Sequence, residues 1–338
     1  MKKKILALLL SGVLAVSALA GCGSNSAPAS SSQEAKTTDV RIAALKGPTS
    51  MSMVKLMEDS ENKKTGSNNY TFSIAGAADE ITPQLIQGEL DMAAVPANLG
   101  AVLSKKTEGK IQVLAINTLG IIYIVEDGNT VKSVADLKGK TIYASGKGAT
   151  PEYALNFMLK ENGIDPEKDV KIEYKSEHTE CLTALTTNKG AVAMLPQPFV
   201  TTAQMQNSNI RVALDMTKEW EDAAKKNGSS ASLLTGVVIA RKEFVEQNQD
   251  AVNLFLQQYE ESVKYTNEKV DDASKLIESY GIVKEAVAKK AIPACNIVFI
   301  AGQEMKDKLS GYLTELHKQN PAAVGGEVPK DDFYYIKK

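Results

Sequence analysis

Short polar segments that each follow a predicted strand and precede a predicted helix are the residues most able to bind a ligand. One of them, residues 145–150, contains Gly146 and Gly148 and ends in Thr150. Glycine lets a backbone approach a ligand closely, and a helix N-terminus carries partial positive charge that favours an anion. The spacing of a nucleotide-binding P-loop is missing. We predict ligand contacts at Gly148 and Thr150, with helix capping as the alternative role of Thr150.

Three further segments have the same position between a strand and a helix. The predicted ligand contacts in them are Thr49 and Ser50, Asp79, and Asn98. Ser50 has a plain capping role as its alternative, because serine is a common N-cap residue. Asp79 either contacts a hydrogen-bond donor or faces solvent. Asn98 can both donate and accept hydrogen bonds, and it is again a capping candidate.

The loop over residues 176–180 is the most polar of the predicted strand ends. Glu177 suits a ligand amine or a water network there, and His178 either hydrogen-bonds a ligand or lies on the rim. Gln197 stands between two prolines on a rigid turn and is a further candidate, as is Thr118 at the end of a predicted strand.

Residue types for other chemistry are scarce. The chain has two histidines and no close Cys/His cluster, so we predict neither a metal site nor a cofactor. The order and spacing of residues suggest no catalytic triad, paired catalytic carboxylates or activated cysteine. Cys181 and Cys295 either pair, as in other secreted chains, or stay free and packed. We favour two free thiols because the two residues fall in different predicted lobes.

The elements that must position these segments alternate between strand and helix along the chain. Such repeats predict parallel sheets covered by helices. One series runs from Val40 to Asn117 and a second from Thr141 to Leu214. We interpret the β-prone segments near 118–125 and 234–240 as two antiparallel hinge crossings between two α/β lobes. The mostly helical tail from Glu243 would complete the first lobe.

The N-terminus has the pattern of an export signal. Three lysines precede an apolar stretch that is too short for a span of about 20 residues. The stretch ends in Leu-Ala-Gly-Cys22, which is similar to the lipobox of bacterial lipoproteins. We predict a signal peptide over 1–21, a diacylglycerol or palmitate-type lipid on Cys22, and a flexible linker over 22–38, whose composition cannot form a core.

The remaining chain divides into the two predicted lobes. We place the first lobe at residues 39–119 and 231–338, and the second at 120–230. The 39 Lys and Arg residues are balanced by 41 Asp and Glu residues. No long basic stripe is present, so nucleic acid is not an expected partner. We expect a monomer.

Several segments together resemble a known family. They are Gly88 to Asn98, Asp136 to Thr141, Gly146 to Tyr153, Pro196 to Phe199 and Thr235 to Val238. The chain resembles extracytoplasmic solute-binding proteins of ABC importers, of the nitrate/taurine/sulfonate-type group that also includes thiamine-pyrimidine binders.

The resemblance implies a type II periplasmic-binding-protein-like fold, in which two α/β lobes close on a small molecule. It implies an ABC permease and its ATPase as partners and no enzymatic activity. The lipid would hold the protein at the outer face of the bacterial cytoplasmic membrane. A ligand-sensing receptor and an enzyme similar to thiamine-pyrimidine synthases are the alternatives. The enzyme would need His178 in the cleft, a pyridoxal-phosphate lysine and iron.

The ligand class stays open at this point. Helix N-termini facing the cleft favour a carboxylate or a sulfonate, whereas the acidic side chains of Asp79 and Glu177 favour a cationic part. A zwitterion or a pyrimidine-like heterocycle fits both. The scarcity of arginine near these loops argues against nitrate, because arginine is the usual bidentate partner of such anions.

Overall fold

The computed structural model describes residues 37–229 and 231–337. The predicted signal peptide, Cys22 and residues 22–36 of the predicted linker lie outside the described residues. Within the described part of the chain, no helix combines the length and the apolar character needed to cross a membrane.

Eleven strands and thirteen α-helices form the described chain. The strands are β1 (Thr38–Leu45), β2 (Asn68–Ala75), β3 (Met92–Pro96), β4 (Ile111–Leu119), β5 (Ile122–Asp127), β6 (Thr141–Ser145), β7 (Lys171–Lys175), β8 (Val192–Pro196), β9 (Ile210–Asp215), β10 (Leu234–Arg241) and β11 (Ile297–Ala301). The helices are α1 (Pro48–Met51), α2 (Val54–Glu61), α3 (Ala78–Gln87), α4 (Ala97–Lys106), α5 (Thr150–Glu161), α6 (His178–Thr187), α7 (Phe199–Gln206), α8 (Met216–Lys226), α9 (Lys242–Gln247), α10 (Gln249–Glu268), α11 (Val270–Ser279), α12 (Glu285–Ala291) and α13 (Gly302–Gln319).

The strands form two separate sheets, one in each lobe. The first has six strands in the order β11-β4-β10-β3-β1-β2, and the second has five in the order β7-β6-β8-β5-β9. In the first sheet β1 is parallel to β2 and β3, and in the second β6 is parallel to β7 and β8. Parallel strands place their carboxyl ends at one edge, where the following loops and helix N-termini collect. The predicted two-lobed α/β fold is confirmed.

In each sheet, one of the antiparallel strands follows directly after the chain leaves the other sheet. β5 follows β4 directly along the chain, yet it pairs with β8 and β9 of the second sheet. β10 follows the second series and pairs with β3 and β4 of the first sheet. The chain therefore crosses between the sheets at residues 120–121 and again at residues 227–233.

The second crossing differs from its predicted position. Residues 234–240 are a strand in the middle of the first sheet and not a hinge segment, because their backbone pairs with β3 on one side and β4 on the other and most of their side chains are buried. At the first crossing, Thr118 still belongs to β4, so only two residues connect β4 to β5.

Apolar side chains cover both faces of the first sheet. One face packs against α2 and α10, where Val40 and Ile42 lie with Phe255 and Tyr259. The other face belongs to a core that continues into the second lobe and includes Trp220. Strands buried on both faces have nearly continuous apolar sequences, and β3 shows this with Met-Ala-Ala-Val buried throughout.

Several helices begin earlier than predicted or were missed. The proline at position 83 predicted a helix that opens at Thr82-Pro83, but α3 begins at Ala78, so Asp79 lies in its first turn and Pro83 is inside the helix. α6 begins at His178, within the predicted loop 176–180. The prediction contained no helix at α7 or α8 and no strand at β11, although the buried residues of α8 recur at helical spacing.

Candidate functional site

A cavity of about 100 Å³ lies between the two sheets, at the edge where their parallel strands end. Both lobes contribute to its wall. The lining residues of the first lobe are Leu45, Lys46, Pro48, Thr49, Pro96, Thr118 and Thr235; Ile121 and Ile122 follow the first crossing; and those of the second lobe are Thr150, Pro151, His178, Pro196, Gln197 and Phe199. The structure therefore brings five of the predicted contacts together: Thr49, Thr118, Thr150, His178 and Gln197.

The turn after β1 forms the wall on the side of the first lobe. Gly47 has a φ of 133°, a backbone conformation that side-chain-bearing residues rarely adopt, and it places α1 directly after β1. Thr49 donates its hydroxyl to the carbonyl of Leu45 at 2.7 Å. Ser50 is buried, and its hydroxyl accepts from the Gly47 N–H and donates to the Gly47 carbonyl. Ser50 does not line the cavity and has the capping role.

Helix N-termini form the wall on the side of the second lobe. Thr150, His178 and Phe199 are the first residues of α5, α6 and α7, and all three line the cavity. The first N–H groups of a helix have no partner within the helix. Three such ends at one cavity produce a positive local field, which favours an anion.

Lys46 adds a full charge to this field. It is the only charged side chain among the described residues that line the cavity, since His178 is neutral and the others are hydroxyl, amide or apolar residues. Lys46 is largely exposed, so its attraction is partly screened by water and salt. The prediction missed it, although it directly follows a strand just as the predicted contacts do.

His178 is held by contacts on two sides. Its Nδ1 lies 2.5 Å from the Ser145 hydroxyl at the end of β6, and its ring is 5.2 Å from the ring of Phe199. Burial lowers the pKa of His178 to about 4 because the charged imidazolium would lose its hydration. The imidazole is therefore neutral at physiological pH.

Gln197 is fixed by a neighbour on α7. Its carboxamide oxygen accepts from the Thr201 hydroxyl at 2.8 Å and from the Thr201 N–H at 3.3 Å. This leaves the NH₂ group as the part of Gln197 that can contact a ligand, and an NH₂ group is a donor.

Asn98 and Thr150 lie in a hydrogen-bond network that joins the two lobes. The Thr150 hydroxyl donates to the Asn98 carboxamide oxygen at 3.2 Å and accepts from the Tyr312 hydroxyl at 3.1 Å. The Asn98 NH₂ group donates to the carbonyls of Ala323 at 3.0 Å and Gly148 at 3.4 Å. Asn98 is fully buried and all its bonds are to protein, so it contributes to the lobe contact and does not line the cavity.

Asp79, Gly148 and Glu177 lie outside the cavity. Asp79 is exposed in the first turn of α3, where an acidic residue is favourable beside the helix dipole. Glu177 is exposed and faces Gly76 of the first lobe, where a Cβ atom would lie 2.9 Å from its Oε1. Gly148 has a φ of 77° and is exposed. The structure therefore does not place these three predicted contacts at the cavity wall.

The two remaining cysteines are buried and unpaired in the described chain. Cys181 is on α6 and Cys295 precedes β11. Burial raises the pKa of each thiol, to about 11 for Cys181 and about 12 for Cys295. Such thiols are protonated and unreactive at neutral pH. The described residues contain no group of His, Cys, Asp and Glu able to hold a metal ion.

Comparison with known proteins identifies the class. Residues 48–291, well over half of the chain, match the family described as ABC transporter, phosphonate, periplasmic substrate-binding protein. The chain belongs to this family and is a periplasmic substrate-binding component of an ABC transporter. The family is one of substrate-binding transport proteins. No curated protein matches the chain.

Solved structures share the fold. An ABC transporter protein from Parabacteroides distasonis is 22% identical, covers 89% of this chain and 100% of its own, and has a TM-score of 0.71. The alkanesulfonate-binding protein SsuA from Xanthomonas axonopodis pv. citri, bound to MOPS, is 14% identical over 88% and 96% of the two chains, with a TM-score of 0.68. The periplasmic nitrate-binding protein NrtA from Synechocystis PCC 6803 is 14% identical over 84% and 82%, with a TM-score of 0.64. At these identities the likeness establishes the fold, and the predicted resemblance is confirmed.

Proposed function

We propose that this protein is a lipoprotein that captures a small organic anion between its two lobes and delivers it to an ABC permease. The observation that carries the proposal is the cavity between the sheets, into which three helix N-termini and Lys46 bring positive charge. The lobes would be residues 39–119 with 231–338, and residues 120–230.

The wall of the cavity favours an anion with a small apolar part. Among the described lining residues none is acidic, and the predicted acidic contacts Asp79 and Glu177 are not among them. The cavity wall therefore favours a phosphonate, sulfonate or carboxylate over a ligand with a cationic part. Leu45, Pro48 and Phe199 offer apolar contact for a short carbon chain.

The size of the cavity also favours a small ligand. Typical small-molecule sites measure about 300–1,000 Å³, and this cavity measures about 100 Å³. A ligand of a few heavy atoms fits such a space, whereas a larger one requires the lobes to separate further.

Closure would couple capture to delivery. The Asn98–Thr150–Tyr312 network joins the lobes directly, so opening would break it. A ligand that contacts both lobes favours the closed state by its differential affinity for that state. The permease would then recognise the closed form, while a lipid on Cys22 keeps the protein near the membrane.

A thermal-shift and calorimetric screen tests the proposal. We would use residues 23–338, which contain the compact unit from Thr37 onward, with phosphate, methylphosphonate, methanesulfonate, taurine, acetate, nitrate and a free pyrimidine as probes. We expect an organic phosphonate, sulfonate or carboxylate to raise the melting temperature and the pyrimidine to leave it unchanged. No stabilisation by any anion would contradict the proposal.

A pair of lysine variants locates the site. Lys46→Gln removes the charge that lines the cavity, and Lys147→Gln removes an exposed charge from the neighbouring loop of the second lobe, outside the cavity. We expect Lys46→Gln to weaken anion binding several-fold, most strongly at low salt, and Lys147→Gln to leave it nearly unchanged. Equal effects of both variants would argue against this cavity as the binding site.

A further inference from the structure

We propose that Ser145 is a positioning residue. Its hydroxyl donates a hydrogen bond to Nδ1 of His178, and this bond keeps the ring proton on Nε2, where it serves as a hydrogen-bond donor toward the cavity. The inference rests on the proposed function, because it assigns how one residue of the same cavity would contact an anion.

The sheet register places Ser145 beside His178. Ser145 is the last residue of β6 and pairs with Lys175, the last residue of the parallel strand β7. The chain then continues for three residues to His178, the first residue of α6. The Ser145 hydroxyl is buried, with 2% of the residue exposed, and lies 2.5 Å from Nδ1. This contact orients the ring while His178 lines the cavity.

A neutral imidazole has one donor nitrogen and one acceptor nitrogen, and the partner of one nitrogen decides the role of the other. If Ser145 donates to Nδ1, then Nε2 carries the proton. If Nδ1–H donated to Ser145, then Nε2 would present a lone pair, which repels an anion.

The surroundings of Ser145 favour the first arrangement. Among the described residues, Nδ1 of His178 is the one acceptor within hydrogen-bond distance of the Ser145 hydroxyl. The nearby sulfur of Cys181 is a poor acceptor for the hydroxyl proton. If Nδ1–H donated to the Ser145 oxygen instead, the hydroxyl proton of this buried residue would have no good partner, and an unpaired buried donor is unfavourable.

An Nε2–H donor at His178 would affect which ligands the cavity prefers. Lys46 and the helix N-termini attract any anion, whereas an Nε2–H group adds one directional bond to an acceptor oxygen. Because His178 is neutral, this donor does not depend on a second positive charge. The arrangement favours ligands that present an oxyanion oxygen over ligands that present a donor group at this point.

Nuclear magnetic resonance of ¹⁵N-labelled histidine tests the tautomer without any ligand. The chain has two histidines, His178 and His317, so a His317→Gln variant assigns the signals. In the wild-type protein we expect Nδ1 of His178 to be the unprotonated nitrogen and Nε2 to carry the proton. A protonated Nδ1 would overturn the inference, whatever the variants do.

Two variants then test Ser145 itself. We expect Ser145→Ala to lose the tautomer preference and Ser145→Thr, which keeps the hydroxyl, to retain it. With methylphosphonate and methanesulfonate as probes, Ser145→Ala should bind about fivefold more weakly, the effect of one neutral hydrogen bond. Unchanged tautomer populations in Ser145→Ala would show that Ser145 does not position the ring.

The two proposals fail separately. If no probe binds while the Nε2–H tautomer depends on Ser145, the proposed anion site is wrong and the role of Ser145 in positioning the ring is supported. If a probe binds and Nδ1 is protonated, the anion site is supported and the inference about Ser145 is wrong.

Discussion

The hydroxyl of Tyr312 offers a direct test of how contact between the lobes controls binding. It donates to the Thr150 hydroxyl at 3.1 Å, and both residues are buried. Tyr312 lies on α13, which packs against the first sheet, whereas Thr150 begins α5 of the second lobe. Tyr312→Phe removes this one bond and keeps the ring, and it leaves the lining of the cavity intact because Tyr312 is not part of it.

The expected magnitude follows from one neutral hydrogen bond. Such a bond contributes about 1 kcal/mol net, because water replaces it when the lobes separate. A loss of that size shifts the closing equilibrium about fivefold, since 1.4 kcal/mol corresponds to a factor of ten. If the open form predominates without ligand, the apparent Kd rises by the same factor, because only the closed fraction binds tightly.

The fluorescence of Trp220 provides the assay. It is the chain's one tryptophan, and its ring centroid lies 5.6 Å from that of Tyr312 and 4.7 Å from that of Phe157. Trp220 is on α8 of the second lobe, so its contact with Tyr312 is a contact between the lobes, and we expect its fluorescence to change when they separate. Titration with the anion that stabilises the wild-type protein should give a saturable signal in both proteins, with a Kd about fivefold higher for Tyr312→Phe.

Tyr70→Phe is the matched control. The Tyr70 hydroxyl donates to Gln258 at 2.6 Å and accepts from Asn68 at 2.7 Å, all on elements that pack with the first sheet. This variant should lower the free energy of unfolding without changing the Kd. An unchanged Kd in Tyr312→Phe, or an equal rise in both variants, would refute the view that the bond to Thr150 stabilises the closed state.

Three further predictions follow from the described contacts. In Gly120→Ala, the new Cβ would lie 2.0 Å from the Thr217 hydroxyl oxygen and 2.9 Å from the Thr217 Cβ, so no rotamer of Thr217 relieves the clash. We expect thermal unfolding to show a free energy of unfolding lower by about 1–3 kcal/mol. Thr217→Gly should restore part of this loss. The pKa of His178 is lowered to about 4, so between pH 6.5 and 4 the unfolded chain binds more protons than the folded chain. The stability contributed above pH 6.5 should therefore be lost as the pH falls through this window. The melting temperature of His178→Gln should fall less steeply there than that of the wild-type protein, and parallel curves would contradict the assignment. Glu126 is buried and accepts from Arg211 at 2.7 Å. Burial opposes the charge of Glu126, but hydrogen bonds from its neighbours lower its pKa. Glu126→Gln should reduce the free energy of unfolding, measured in urea, by about 2 kcal/mol.

Local pattern was sufficient to predict much of the fold. Apolar runs such as Met92–Val95 and the helices that follow them have periods that the sequence shows directly. The carboxyl ends of parallel strands meet at one edge, so a polar residue after such a strand can be assigned to that edge without coordinates. This is why Thr49, Thr150 and His178, chosen from three distant segments, line one cavity.

The tertiary structure decided how the two lobes use those residues. Asn98 and Thr150 were both predicted to contact a ligand, yet they bond to each other, because α4 and α5 meet across the cleft at that point. Asp79 and Glu177 lie outside the cavity, where both are exposed and Glu177 faces Gly76 of the first lobe. Sequence alone determined most of the strands and helices, the polar strand ends and the presence of two α/β series along the chain. The distance and angle between the lobes depend on contacts between residues 52 to 162 positions apart, such as Asn98 with Thr150 and Thr150 with Tyr312, and no local pattern encodes them.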